Sequence, residues 1–271
     1  MNIIKFIESF TNEGMINSLS AKGSRRDSLN QFQSMGKVAA MAAAPLGLAA
    51  FLAPNKVNAK NAMFFDPTET PTEALQLALT LEYLEDEFYD MALASNGLLT
   101  GTDRTIIAQI SKHENAHVAL LANALAGSAP AKPTFDFTVG GAFDPFNNLD
   151  QFLALAQAFE DTGVRAYKGQ AANLISNGDL LTTALQIHSV EAMHASQIRR
   201  LRGQKGWIVG NDRGGLPSAA QPVYDGEENA TQAGFNTSTV SGIPAQAGPE
   251  SFDEPITGAT ATAIASLFIV S

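Results

Sequence analysis

Apolar residues recur at helical spacing through four long stretches between Pro71 and Leu201, each rich in alanine and leucine. The pattern predicts helices over 72–96, 102–126, 149–176 and 179–203, with almost no strand signal. Boundaries are written between them. Asn96-Gly97 closes the first helix, Thr102-Asp103 caps the second, Asn148 or Asp150 opens the third, and Asn177-Gly178-Asp179 separates the third from the fourth. The first and third connections are only a few residues long, so each joins an antiparallel helical hairpin. The middle connection, Gly127 to Asn147, is about 21 residues and frees the second and third helices from being antiparallel neighbours. The predicted fold class is all-α, a four-helix bundle with one long crossover between helices two and three.

The flanks read differently. Of 22 glycines and 12 prolines, 10 and 5 fall in residues 203–271, which makes that part loop-rich. It ends in an uncharged, helix-compatible stretch, Ala259 to Val270, too short to cross a membrane and expected to pack on the bundle. At the other end, Ser24-Arg25-Arg26 precedes an uncharged run from Val38 to Ala53 that is broken by Pro45 and Gly47. Val57-Asn58-Ala59 follows with the small residues of a cleavage site. This resembles a twin-arginine export signal, which implies a periplasmic or secreted protein starting near Lys60. Asp27-Ser28-Leu29 departs from the residues that usually follow such a pair, and the alternative is a retained N-terminal helix, packed on the domain or lying at a membrane. The expected division is thus 1–59 as signal or N-terminal segment, 60–203 as the bundle and 204–271 as an extension packed on it.

Composition narrows the chemistry. A net charge of −10 and a pI near 4.8 offer no phosphate-tracking surface, which argues against nucleic acid as a partner. The chain has no cysteine, which excludes thiolate catalysis, cysteine-bound zinc, iron–sulfur clusters and disulfides. Any metal must be held by carboxylates and the four histidines.

Those groups fall in an internal repeat. T-L-E-Y-L-E-D-E-F-Y (80–89) aligns with A-F-E-D-T-G-V-R-A-Y (158–167), matching Glu82 to Glu160 and Tyr89 to Tyr167. H-E-N-A-H-V-A (113–119) aligns with V-E-A-M-H-A-S (190–196), matching Glu114 to Glu191 and His117 to His194. Each half supplies a Glu and then a Glu-x-x-His at nearly the same distance, 32 residues from Glu82 to Glu114 and 31 from Glu160 to Glu191. All four glutamates lie in apolar runs, where an unpaired carboxylate costs several kcal/mol or takes up a proton. Residues at i and i+3 share a helix face, so each Glu-x-x-His can offer a carboxylate and an imidazole to one ion. Four carboxylates balance two divalent ions, and the oxygen-rich set suits Fe or Mn better than structural zinc. Metal ligands are therefore expected at Glu82, Glu114, His117, Glu160, Glu191 and His194, with Glu114 and Glu191 bridging.

On these motifs the chain resembles the ferritin-like domain family that includes plant desiccation-related proteins and many bacterial secreted homologues. The matching segments are 81–89, 113–117, 159–167, 190–194 and E-S-F-D-E-P-I-T (250–257), covering roughly residues 64–271. The resemblance implies a ferritin-like bundle with a dinuclear centre at the same six residues. It leaves two roles open. One is an oxidoreductase acting on O2 or peroxide, of ferroxidase or peroxide-consuming type. The other is a structural or stress-protective protein whose site merely holds metal or is vestigial. Assembly into homo-oligomers is left open as well.

Neighbouring residues are expected to be ordinary. Glu85, Asp86 and Glu87 read as a solvated acidic face, with Glu85 the rival to Glu82 as first ligand. His113 and His188 have no counterpart in the repeat and read as outer neighbours of the site or surface groups. Tyr89 and Tyr167 are core aromatics or hydrogen-bonding neighbours of the site. His113-Glu114-Asn115-Ala116-His117 matches the zinc-protease signature H-E-x-x-H, but the duplication preserves only Glu-x-x-His, and no glutamate lies between Glu114 and Glu160 to act as third ligand. The sequons at Asn229 and Asn236 decide nothing.

Overall fold

The computed structural model describes residues 69–270, so the export signal expected over 1–59 lies outside the described residues. Helix α1 (Pro71–Ala94) starts with a complete capping box, Thr70 and Glu73 each satisfying the other's backbone N–H, and with proline in its first turn. Helix α2 (Gly101–Leu125) has Thr100 at its N-cap position, two residues before the expected Thr102, and the threonine side chain makes no capping bond. Asn148 caps α3 (Leu149–Gln170) through Gln151 N, and Asn177 caps α4 (Gly178–Leu201) through Leu180 N. The third helix is shorter than expected because α geometry gives way at Ala171–Leu174 to a 3-10 turn that leads into the α3–α4 connection.

The short connections make α1–α2 and α3–α4 tight hairpins, and the two hairpins meet mainly through α1 and α3. Helices α2 and α4 touch each other only sparsely. The long crossover has no helix spanning it; Thr134–Phe135 within it pairs antiparallel with Ile269–Val270 at the chain's end. The terminal stretch is therefore helical only over α5 (Gly258–Ser266), and its last apolar residues turn into a strand that the crossover completes.

Two apolar clusters fill the interior. One is built on Phe88, Phe137, Phe152 and Phe159, with Phe159 edge-on to Phe268 from the C-terminal end. The other gathers Leu79, Leu121, Leu125, Tyr167 and Ile187 at the opposite end of the bundle. Along α1, α2 and α4 the repeat glutamate falls near the boundary between the two clusters, while on α3 the first cluster runs past Glu160 to Ala166. A polar layer thus divides the core.

Helix α3 is buried on nearly every side, because the extension covers the face it turns away from α1. Arg165, fully buried, reaches into that extension. It donates to the carbonyls of Val223, Glu254 (2.7 Å) and Asp225 (2.7 Å), and pairs with Glu227 at 2.8 Å. Ile256 N donates to Arg165 O, and Gly169 one turn later lets the backbone of Ile256 lie against the helix. Among the described residues, no helix is long and apolar enough to cross a membrane.

Candidate metal centre

The polar layer contains all six repeat residues, and Glu82, Glu114, Glu160 and Glu191 are fully buried. Their donor atoms fall into two groups, Glu82–Glu114–His117–Glu191 and Glu114–Glu160–Glu191–His194, each with one atom per residue and all atoms within 4.8 Å of one another. In the first group Nδ1 of His117 stands 3.2 Å from Glu82 Oε2, 3.1 Å from Glu114 Oε2 and 3.2 Å from Glu191 Oε1. In the second, Nδ1 of His194 stands 2.8 Å from Glu114 Oε1, 3.3 Å from Glu160 Oε2 and 3.9 Å from Glu191 Oε2. Glu114 and Glu191 belong to both groups and give one oxygen to each. Glu82 and Glu160 belong to one group each.

The tyrosines account for the other oxygens of these two. Tyr167 donates to Glu82 Oε1 and Tyr89 to Glu160 Oε1, so each tyrosine serves the glutamate of the other hairpin. Burial and the facing carboxylates push both phenols well above their usual range, which keeps them protonated as donors. They are hydrogen-bonding neighbours of the site, each leaving one oxygen of its glutamate turned to the donor group.

What remains is unsatisfied. Glu114 Oε1, Glu160 Oε2, both oxygens of Glu191 and Nδ1 of His194 are buried without a hydrogen-bond partner among the described residues. Orphaned oxygens in a core are expensive unless something positive sits among them. In the absence of a cation, protons take that place. Burial raises the carboxyls of Glu160 and, more strongly, Glu191, and lifts Glu82 to about 7. Burial works against charge on the imidazoles too, yet the facing carboxylates of Glu114, Glu191 and Glu82 lift His117 to about 12. The charge of Glu160 and the closeness of Glu114 lift His194 to about 11. Orphaned oxygens facing imidazole nitrogens in two sets of four are what a metal pair needs, so the residues present fit such a group.

Two neighbours differ from the sequence expectation. Glu85 and Asp86 are not on a solvated face: both are buried, while Glu87 is half-buried. Lys132 from the crossover covers Asp86 at 3.4 Å and Glu87 at 3.2 Å. Glu85 lies against the centre, and a Cβ added at Gly163 would stand 3.4 Å from both Glu85 Oε1 and Glu191 Oε2. The repeat aligns Glu85 with Gly163, so the absent side chain in one half makes room for the extra carboxylate of the other. Glu85 is outside both four-donor groups. His188 donates from Nδ1 to Val164 O on α3 at 3.0 Å and takes no part in the centre.

A bundle of two hairpins joined by a long crossover, with a carboxylate–histidine layer across its core, defines the ferritin-like class. Residues 70–204 match the model of the ferritin-like domain family, and the chain carries a domain of that family. No curated protein matches the sequence.

Proposed function

We propose that this is an exported ferritin-like metalloprotein that binds two Fe or Mn ions and uses them in oxidation chemistry with O2 or peroxide. The observation that carries it is the pair of donor groups sharing Glu114 and Glu191, with buried oxygens that no described residue satisfies. Glu82 and His117 would hold one ion, Glu160 and His194 the other, and the two shared glutamates would bridge. Bound there, the ions would supply one-electron redox chemistry toward O2 or peroxide. The chain's own residues shape that chemistry. Tyr89 and Tyr167 fix the free oxygens of Glu160 and Glu82, and the apolar clusters on either side keep bulk water from the carboxylates. Four glutamates match the charge of two divalent ions, and Glu85, its carboxyl pushed well above the usual range by burial and the facing glutamates, adds a protonated carboxyl beside them. The export assignment rests on the arginine pair and apolar run of the N-terminal segment.

Elemental analysis after anaerobic loading should give about two ions per chain, and Glu114→Ala with Glu191→Ala should abolish uptake. Stopped-flow absorbance should then show Fe2+ oxidised faster by the wild type than by the double variant when O2 or peroxide is added. Full metal content in the double variant would refute the site. Normal loading with no rate advantage would leave a metal-holding, protective protein as the better description.

A further inference from the structure

The two donor groups are related by the internal repeat, yet their surroundings are unequal. His194 turns Nδ1 inward, and its outer nitrogen, Nε2, lies 2.8 Å from Nδ1 of His113. The two rings lie edge to edge, nearly coplanar, with centroids 5.1 Å apart and 12° between their planes. The far nitrogen of His113 is in turn 2.8 Å from the side-chain amide of Gln109; with the amide oxygen turned to it, His113 Nε2–H donates to Gln109 and Nδ1 is left as the acceptor for His194. Among the described residues nothing comparable reaches the outer nitrogen of His117, whose side chain is 12 % exposed against 5 % for His194.

The repeat shows where the difference arises. His113 precedes Glu114, and the residue preceding Glu191 is Val190, which has no group to bond an imidazole. A histidine that gives Nδ1 to a metal must carry its proton on Nε2, and an acceptor at Nε2 fixes both tautomer and ring orientation. His113 offers that acceptor to His194 alone. His117 stands beside the sparse α2–α4 contact with its outer edge open to water.

We propose that His113 is a positioning residue that makes the two metal positions unequal, the Glu160–His194 position retaining its ion and the Glu82–His117 position exchanging its ion with solvent. This rests on the dinuclear centre proposed above. An ion at His194 leaves only after a ring held from behind is displaced. An ion at His117 leaves past a ring that water already reaches.

The test is metal release from the full chain loaded anaerobically with Mn2+, followed on mixing with excess chromogenic chelator. The wild type should release its ions in two phases of equal amplitude. Loss of such an outer partner weakens metal binding about 10–100-fold, and the slow phase should lag the fast one by at least the lower figure. His113→Val, which copies position 190, should speed the slow phase until the two merge. His113→Asn places a side-chain acceptor where Nδ1 stands and should restore it, which a loss of packing alone would not do. Two ions released in a single phase by the wild type, or a slow phase unchanged in His113→Val, would overturn the proposal. If elemental analysis finds neither Mn2+ nor Fe2+ bound after anaerobic loading, the dinuclear centre itself fails, a result separate from either.

Discussion

Gly169→Ala sets two physical effects against each other in one residue. Considered as an isolated helix, α3 gains about 1 kcal/mol, since alanine is the best helix former and glycine among the worst. The surroundings oppose this. The new Cβ would stand 2.0 Å from the carbonyl oxygen of Ile256 and 3.1 Å from its carbonyl carbon, and both are backbone atoms. An ordinary carbon–oxygen contact is about 3.3 Å, so the extension must retreat by more than an ångström. That breaks the Ile256 N–H bond to Arg165 O, already 3.2 Å, and pulls Glu254 O from Arg165 Nε. Two hydrogen bonds at about 1 kcal/mol each and partial exposure of Ile256 at about 1 kcal/mol give roughly 3 kcal/mol of cost. The net loss is about 2 kcal/mol, or a melting temperature lower by about 4–8 °C for a domain of this size. Thermal denaturation by circular dichroism reads the shift, and limited proteolysis reads the loosened extension. A variant that melts at or above the wild-type temperature, with the extension equally resistant, would show that the close approach does not hold the extension in place.

The centre yields further expectations. Glu82 is raised by burial from 4.5 to about 7, so the folded metal-free protein binds a proton that the unfolded chain has released across that interval. Stability contributed by this group therefore falls as pH rises, by about 3 kcal/mol between those values. Metal binding needs the deprotonated ligands and should run the other way, so denaturation with and without chelator from pH 5 to 8 should show metal protection growing as metal-free stability declines; a metal-free protein that gains stability over that range would contradict it. Tyr89→Phe and Tyr167→Phe each free one oxygen of a terminal glutamate, and each should weaken metal binding about 10–100-fold in a chelator competition. Tyr83→Phe, at a half-buried ring that faces Lys132, should leave it unchanged.

The helices could be read from the sequence because their apolar periodicity and their caps agree, as Asn148 and Asn177 show by capping α3 and α4. That the six repeat residues gather in one buried layer could be read because the repeat places them in register inside apolar runs. Acidic residues one turn further on could not. Glu85 looks like part of a solvated run until Gly163 is seen across from it, and Asp86 until Lys132 of the crossover folds over it. Alignment of the two halves already sets Glu85 against Gly163 and His113 against Val190, and such mismatches within a repeat are a signal that local composition hides. Asp161 and Arg165 were unreadable for a different reason. Their partners, Arg199 with Tyr224 and the extension carbonyls with Glu227, are distant in sequence and include backbone atoms that no motif encodes.

The crossed tyrosines carry a consequence for how such a centre can arise. Tyr89 serves Glu160 and Tyr167 serves Glu82, so neither hairpin completes even its own half of the layer. Two copies of a single helical hairpin, meeting about a two-fold axis, would build the same arrangement, each lending its tyrosine to the other. In that symmetric pair any substitution appears twice, and an extra carboxylate at one position would meet its own duplicate across the axis. Joining the copies through the crossover lifts that constraint. Glu85 can then face a glycine and His113 a valine, so covalent linkage is what permits a symmetric scaffold to hold an asymmetric interior.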